Sequence, residues 1–434
     1  MSASELDAAS HPTPDAPSAI AITLATTPRL RRRWTAAYGL YTLASNLIFT
    51  HAVWVLYLAA NGYSPFAIGL FETAFHLAKF LAELPTGIFA DLWGRRTSLV
   101  VSCIVGAASS LLFLVPTAPM LVASFALSGV AYAFRGGADS ALLWALAEES
   151  GSPAAERTAW YSRLFSRMLL VTIAAQTVGT GAGGFLGAIS PAVPFVGSAL
   201  TAAAGIPPLL LLPERRLGRA ERPHPLAHLR AGLRAIIADP VLLGLLLLSG
   251  LTACVFTTVG YYAQLYFGAL GFSLAAVGVL FAIVVVPDAL GAALAPRLLH
   301  RLPRRALLAL FVAMECVGLA CLSAGTPVLA VVGYVVLLHS GDAVLYPALN
   351  TYLNERSPEA QRATVLSLET GIFSAAMIVL FPLFGLGLTH ISYALAYRWT
   401  LVALVAGTVG IAALVAVGRR SVRQSTTLQN DVAG

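Results

Sequence analysis

Twelve long apolar runs separated by short hinges occupy the chain from residue 36 to residue 418. About 20 apolar residues are enough for a helix to span the hydrocarbon core of a bilayer. Inside that core each backbone N–H must pair within its own segment or in a closed barrel. The runs lie at 36–58, 66–89, 97–116, 120–146, 162–187, 193–212, 241–263, 274–297, 305–325, 328–350, 364–387 and 397–418. They are too long for barrel strands and lack strict alternation, so they predict an all-α membrane protein with twelve transmembrane helices. Composition agrees: of 434 residues, 58% are hydrophobic and 11% charged, against about 25% charged in a typical soluble domain. A water-soluble globular protein is excluded.

The net charge of +7 invites a nucleic-acid partner, but the arginines crowd into alternate hinges. They precede run one and follow runs two, four, six, eight, ten and twelve, while the opposite hinges carry little beyond Arg398. That is the positive-inside pattern, which places both termini in the cytoplasm. The four cysteines stand singly in apolar runs, with neither metal-ligand spacing nor a disulfide framework. Leu226, Leu229, Leu233 and Ile237 recur at helical spacing in the long central hinge, beside Arg230 and Arg234. This reads as an amphipathic helix on the membrane surface, or as a plain charged linker. The expected organisation is a disordered cytoplasmic tail and basic cluster over 1–33, with no signal peptide apparent, and a six-helix bundle over 34–212. A cytoplasmic linker over 213–240, a second six-helix bundle over 241–418 and a cytoplasmic tail over 419–434 complete the chain.

The halves repeat. Gly62-Tyr63-Ser64-Pro65-Phe66-Ala67-Ile68-Gly69 aligns with Gly271-Phe272-Ser273-Leu274-Ala275-Ala276-Val277-Gly278 at a shift of 209, which also sets Arg95-Arg96 on Arg304-Arg305. A shift of 205 sets Ser152-Pro153 on Ser357-Pro358. Two pseudo-symmetric six-helix bundles with parallel repeat symmetry are one plan of secondary transporters, with the substrate between them at the midplane.

The hinge after run two reads Gly87-Ile-Phe-Ala-Asp91-Leu-Trp-Gly94-Arg95-Arg96. It resembles the signature loop of the major facilitator superfamily, and the second-half copy keeps Arg304 and Arg305 with His300 and Pro303 in place of Asp91 and Gly94. Gly94 permits a tight turn, Asp91 is placed to accept from a helix N-terminus, and the arginines can pair with acids such as Glu148. The resemblance implies a latch that closes the cytoplasmic side and breaks during transport. Gly179, Gly183 and Gly187 share one face of run five, where another helix can approach closely. Their spacing resembles the family's antiporter motif, with Gly184 where that motif has Pro and Ala188 where it has Gly.

A charge at mid-span costs about 3 kcal/mol on insertion scales and persists where it pairs or meets water. Run two carries Glu72, His76, Lys79 and Glu83 as one stripe, and Lys79 is the sole lysine of the chain. Run four carries Arg135 and Asp139 one turn apart; the family often has a coupling arginine here, but Arg-Gly-Gly-Ala-Asp departs from its motif. Asp288 occupies the repeat position of Lys79, and Asp342 lies near that of Asp139. These two acids are the leading proton carriers; Glu315 and Glu369 are weaker, and Glu315 is expected to be structural or paired. Tyr38, Tyr41, Asn46 and His51 in run one, with Thr257, Tyr261, Tyr262 and Gln264 in run seven, suit a mixed pocket or interfacial anchoring.

The expected function is secondary active transport of a small-molecule substrate coupled to protons, with export favoured. The alternatives are proton-symport import of a sugar or organic acid, and a membrane sensor or enzyme. No cofactor or metal is expected. There is no His-Glu-x-x-His or Gly-x-Ser-x-Gly, and the sole lysine follows Ala78, which excludes a P-loop. The chain is expected to be a monomer in the lipid bilayer of a bacterial inner membrane.

Overall fold

The computed structural model describes residues 28–149, 153–214, 225–358 and 362–433. The N-terminal tail, much of the arginine cluster after residue 214 and Ser152 of the second repeat match therefore lie outside the described residues. The first half comprises α1 (Pro28–Asn46), α2 (Trp54–Ala60), α3 (Pro65–Trp93), α4 (Arg95–Leu112), α5 (Ala118–Arg135), α6 (Ala138–Glu148), α7 (Ala154–Ile189), α8 (Val193–Ala204) and α9 (Ile206–Leu210). After α10 (Pro225–Ala238) come α11 (Pro240–Ala269), α12 (Leu274–Ile283), α13 (Val285–Arg301), α14 (Arg304–Ser323), α15 (Pro327–Val331), a π-helical turn (Val332–Leu338), α16 (His339–Arg356), α17 (Arg362–His390) and α18 (Tyr393–Ala433).

Among the described residues, nine helices are long and apolar enough to cross a membrane. The other three expected spans are helical but more polar or broken. Span 36–58 is divided between α1 and α2, α3 carries Glu72, Lys79 and Glu83, and α4 opens on Arg95 and Arg96.

The repeat seen in sequence is a repeat of conformation. Gly62 has φ +87° and Gly271 +88°, a region open to glycine because it lacks Cβ. Tyr63 N donates to Leu58 O at 3.2 Å, and Phe272 N to Phe267 O at 3.0 Å. Ser64 and Ser273 then cap the next helix, each accepting from a backbone N–H three residues on at 3.2 Å.

The bundles meet through α3 against α17, α7 against α12 and α2 against α11. Gly184 and Gly278 make one crossing possible: a Cβ on either would stand 2.8 Å from the other's Cα. The position that departs from the antiporter motif is thus where α7 touches the other bundle. Gly179 and Gly183 do not face a helix, contrary to the sequence expectation. They make room for the non-helical backbone of Ile48 and Phe49 in the break between α1 and α2. Gly187 faces Leu274, whose Cδ2 would lie 2.7 Å from an added Cβ.

That break leaves backbone groups without helical partners, which in a membrane other side chains must satisfy. Phe49 N donates to Ser198 Oγ (3.0 Å) and Thr201 Oγ1 donates to Leu47 O (2.9 Å). Gln264 of α11 does the rest from the other bundle: its Oε1 accepts from Val55 N (3.1 Å) and its Nε2 donates to His51 O (3.0 Å).

The central hinge does form a helix, α10, whose Ile236 packs with Leu242, Leu246, Leu353 and Val365, while Leu233 and Ile237 are exposed. The side chains of Leu226 and Leu229 lie outside the described residues.

Candidate functional site between the bundles

A cavity of about 770 Å³ lies between the two bundles, lined by Glu72 and Arg135 from the first and by Asp288 and Asp342 from the second. A second space of about 430 Å³ shares Asn46, Tyr132, Arg135 and Gln176 with it and reaches Asp139. The hydrogen bonds that cross between bundles among the described residues lie on the far side from the arginine-rich hinges. They are the Gln264 pair, Thr73 Oγ1 to Ile378 O at 3.0 Å, and Tyr262 OH to Pro65 O at 2.8 Å. One face is therefore sealed by contacts that no described pair reproduces on the other.

Five of the seven proposed binding or coupling residues thus border this space, and two do not. His76 is buried behind the wall on the same side of α3 as Glu72, its Nε2 3.6 Å from Glu72 Oε1. Lys79 is buried with its Nζ 4.7 Å from the centre of the Tyr132 ring, and it forms no ion pair among the described residues. A cation over an aromatic face is stabilised without a counter-charge. Gly129 brings α3 against α5 here; a Cβ would sit 3.0 Å from Lys79 N. The supposed four-residue stripe ends before Glu83, which is exposed.

In the first bundle, Arg135 ends α5 and Asp139 opens α6, with the turn made by Gly136 and by Gly137 at φ +72°. Arg135 Nε donates to Asp139 Oδ2 at 2.6 Å and Arg135 Nη2 to Asn46 Oδ1 at 3.1 Å. Tyr41 OH donates to Asp139 Oδ1 at 2.8 Å and Tyr38 OH to the Asp139 carbonyl at 3.1 Å. In the second bundle, Asp288 Oδ1 lies 3.0 Å from His339 Nδ1. Asp342, one turn beyond His339 on α16, makes no hydrogen bond among the described residues.

Sequence reasoning passed over His339, although its i, i+3 spacing to Asp342 sets both on one side of α16. It also grouped the polar side chains of runs one and seven together, and the structure separates them. Tyr38, Asn46, His51 and Tyr261 line the cavities. Tyr262 and Gln264 instead hold the sealed face.

The signature loop turns at Gly94, φ +101°. Its acid partner is Glu214, not the Glu148 expected. Glu214 accepts from Arg96 N (3.2 Å), Arg96 Nε (3.2 Å), Thr97 N (3.0 Å) and Thr97 Oγ1 (2.8 Å). Glu214 thus caps the N-terminus of α4. Glu148 accepts from Trp144 Nε1 at 2.9 Å. Gly87 is exposed at the end of α3, before Asp91. In the second half Arg304 pairs with Glu355 at 2.6 Å, Arg305 is exposed, and Arg356 Nε holds Asp239 at 2.5 Å. Burial alone would push the Asp239 carboxyl up, but Arg356 and the N–H groups of Val241 and Leu242 outweigh it and hold it below the usual range.

Among the described residues no three His, Cys, Asp or Glu side chains converge as for a metal ion, and all four cysteines are free thiols.

Comparison with known proteins fits this geometry. The family model described as the Major Facilitator Superfamily matches residues 34–311 and 263–431. A curated relative, the uncharacterized MFS-type transporter YxaM of Bacillus subtilis (strain 168), is 24% identical over 361 residues, covering 77% of this chain and 84% of that protein. The solved nucleoside transporter NupG superposes with a TM-score of 0.72 at 14% identity over 89% of this chain and 98% of that one. A D-xylose-proton symporter does so with 0.69 at 16% over 89% and 97%. The chain belongs to the Major Facilitator Superfamily and is a multi-pass membrane transporter.

Proposed function

We propose that this transporter exports a small organic solute, neutral or cationic and partly aromatic, in exchange for protons by alternating access. The observation that carries it is the shared cavity, with ionisable side chains on both walls and, among the described residues, hydrogen-bonded closure between the bundles on one face only. The positive-inside arrangement assigns the arginine-rich face to the cytoplasm, so the cavity opens inward, with both termini on that side.

The lining favours this substrate class. Glu72, Asp288 and Asp342 give it an acidic wall, and Trp54, Phe256 and Tyr261 an aromatic one. The sole arginine of that wall is already engaged by Asp139 and Asn46, which weighs against import of an anion. In the proposed cycle a proton loads on Asp342 or Asp288, the acidic wall loses charge, and the solute is no longer held. The bundles then rock about the midplane. The Gly94 turn and its Glu214 contacts belong to the face that must close, and the Gly184–Gly278 crossing to the face that must open.

The test is flux in proteoliposomes, with ethidium as the first probe and others chosen by thermal shift. An imposed pH gradient accelerates exchange if protons are coupled. Equal flux with and without the gradient rejects coupling. Cells made resistant to a toxic organic cation support export, whereas growth on an imported solute supports the opposite direction.

A further inference from the structure

Glu315 stands in the middle of α14, outside both cavities and 1% exposed, and neither carboxyl oxygen has a hydrogen-bond partner. Phe311, Val312 and Leu319 are buried on the same helix. An ionised, unpaired carboxylate in such surroundings is strongly disfavoured, so Glu315 is a neutral acid in this conformation. A purely structural acid would have a partner that repays its burial, and this one has none among the described residues.

We propose that Glu315 is a proton-binding group of the transport cycle, set behind the cavity wall and coupled to Asp342 across the seam between α14 and α16. The proposal rests on the proton-coupled reading above. The seam runs through Gly341, where an added Cβ would lie 3.6 Å from Glu315 Cγ. Asp342 is the next residue and faces the cavity. A second orphan flanks the seam: the Nε2 of His339 is buried without a partner while Nδ1 meets Asp288 at 3.0 Å.

The π turn Val332–Leu338 ends directly before His339. Rewinding a π turn to α geometry rotates the downstream helix by about 100° per residue gained. It is a built-in means of turning His339 and Asp342 between the cavity and Glu315. The exchange is balanced: the Glu315 O–H bond breaks as a proton joins the Asp342 carboxylate. The Nε2 of His339 is the buried polar atom on hand at the seam to meet the Glu315 anion. The titratable groups in this bundle interior are His339, Asp342 and Tyr352 on α16, Asp288 on α13, Tyr334 in the π turn, Tyr397 on α18 and Cys316 on α14 itself.

Infrared difference spectroscopy on the full chain in detergent tests this without any substrate. The expected result is a carboxylic-acid band that is lost as pH is raised, disappears in Glu315→Gln and shifts in frequency in Glu315→Asp. Its midpoint should move by about one pH unit, tenfold in proton affinity, in Asp342→Asn. A band that survives Glu315→Gln, does not respond to pH or keeps its midpoint in Asp342→Asn overturns the proposal. Should Glu315→Gln not fold, the frequency shift in Glu315→Asp carries the assignment. If wild type shows this titration but no gradient-driven flux, the proton-coupled reading fails and the carboxyl assignment stands.

Discussion

In the first bundle each oxygen of the Asp139 carboxylate has a donor, from Arg135 or Tyr41, and Arg135 is further held by Asn46. In the second, Asp288 has His339, Asp342 has no hydrogen bond among the described residues, and Glu315 is buried with both oxygens unpaired. Asp139 and Asp342 sit on equivalent spans of a repeated fold, yet the first is neutralised within its own bundle and the second is not. A closed network fixes geometry and resists a change of charge. An incomplete one leaves groups whose protonation can change what they touch. On the proton-coupled reading proposed above, the difference points to the second bundle as the proton-handling half and to the Arg135–Asp139 centre of the first as the static one.

The largest expected effect comes from that assignment. Asp342→Asn should lower gradient-driven flux of the probe at least about tenfold, or 1.4 kcal/mol in the driven step, while probe exchange without a gradient persists. Asp139→Asn should leave a pH-driven component. If the two outcomes are reversed in reconstituted flux, the division between bundles is broken.

Arg135→Leu sharpens the same comparison through stability. It leaves Asp139 partly buried, at 29% side-chain exposure, without its cation. A loss of about 2 kcal/mol is expected, read as a lower unfolding midpoint in detergent. Arg135→Leu combined with Asp139→Leu should recover most of it, because the uncompensated charge is then gone. No recovery would mean that Arg135 stabilises by packing rather than by pairing.

The twelve-run pattern and the Gly62/Gly271 repeat were legible because hydrocarbon length and a positive φ each leave a mark on sequence. The Arg135–Asp139 pair was legible from its four-residue spacing, although the helix breaks between the two at Gly136 and Gly137. The break at 47–53 was not, since Leu47-Ile48-Phe49-Thr50-His51-Ala52-Val53 holds no Pro or Gly. Its cause is tertiary: Gln264, Ser198 and Thr201 capture the backbone, and Gly179 and Gly183 leave room for it. Lys79 and His76 were placed at the cavity from their shared stripe, but that stripe also faces α5 and α17, where Tyr132 and Phe373 cover them. Glu214 was missed because an acid beside an arginine run looks like part of a solvated hinge.

A smaller effect separates the two copies of the signature loop. Glu214 is 14% exposed and accepts two backbone N–H groups at a helix N-terminus, whereas Glu355 is 49% exposed and meets Arg304 alone. Glu214→Gln should cost about 1–2 kcal/mol. Glu355→Gln should cost about 0.5 kcal/mol or less, as for surface pairs. Equal shifts in unfolding midpoint would show that the degenerate second loop holds its bundle as firmly as the first.

The smallest expected effect lies at the end of α16, where Arg356 holds Asp239 with side-chain exposures of 52% and 24%. Solvent screens such a pair, so its contribution to stability is modest and falls further with salt. Its sign with pH is fixed. The Asp239 carboxyl is held below its ordinary value in the folded protein, so the stabilisation is fully present above the unfolded value of about 4 and is lost as pH falls through the folded one. Asp239→Asn should therefore unfold earlier than wild type at neutral pH, and the gap should close below about pH 4. Raising salt at neutral pH should narrow it as well. If the gap persists in acid, where Asp239 and the Asn that replaces it are both neutral, Asp239 acts through the shape of its cap on Val241 and Leu242 and not through its charge.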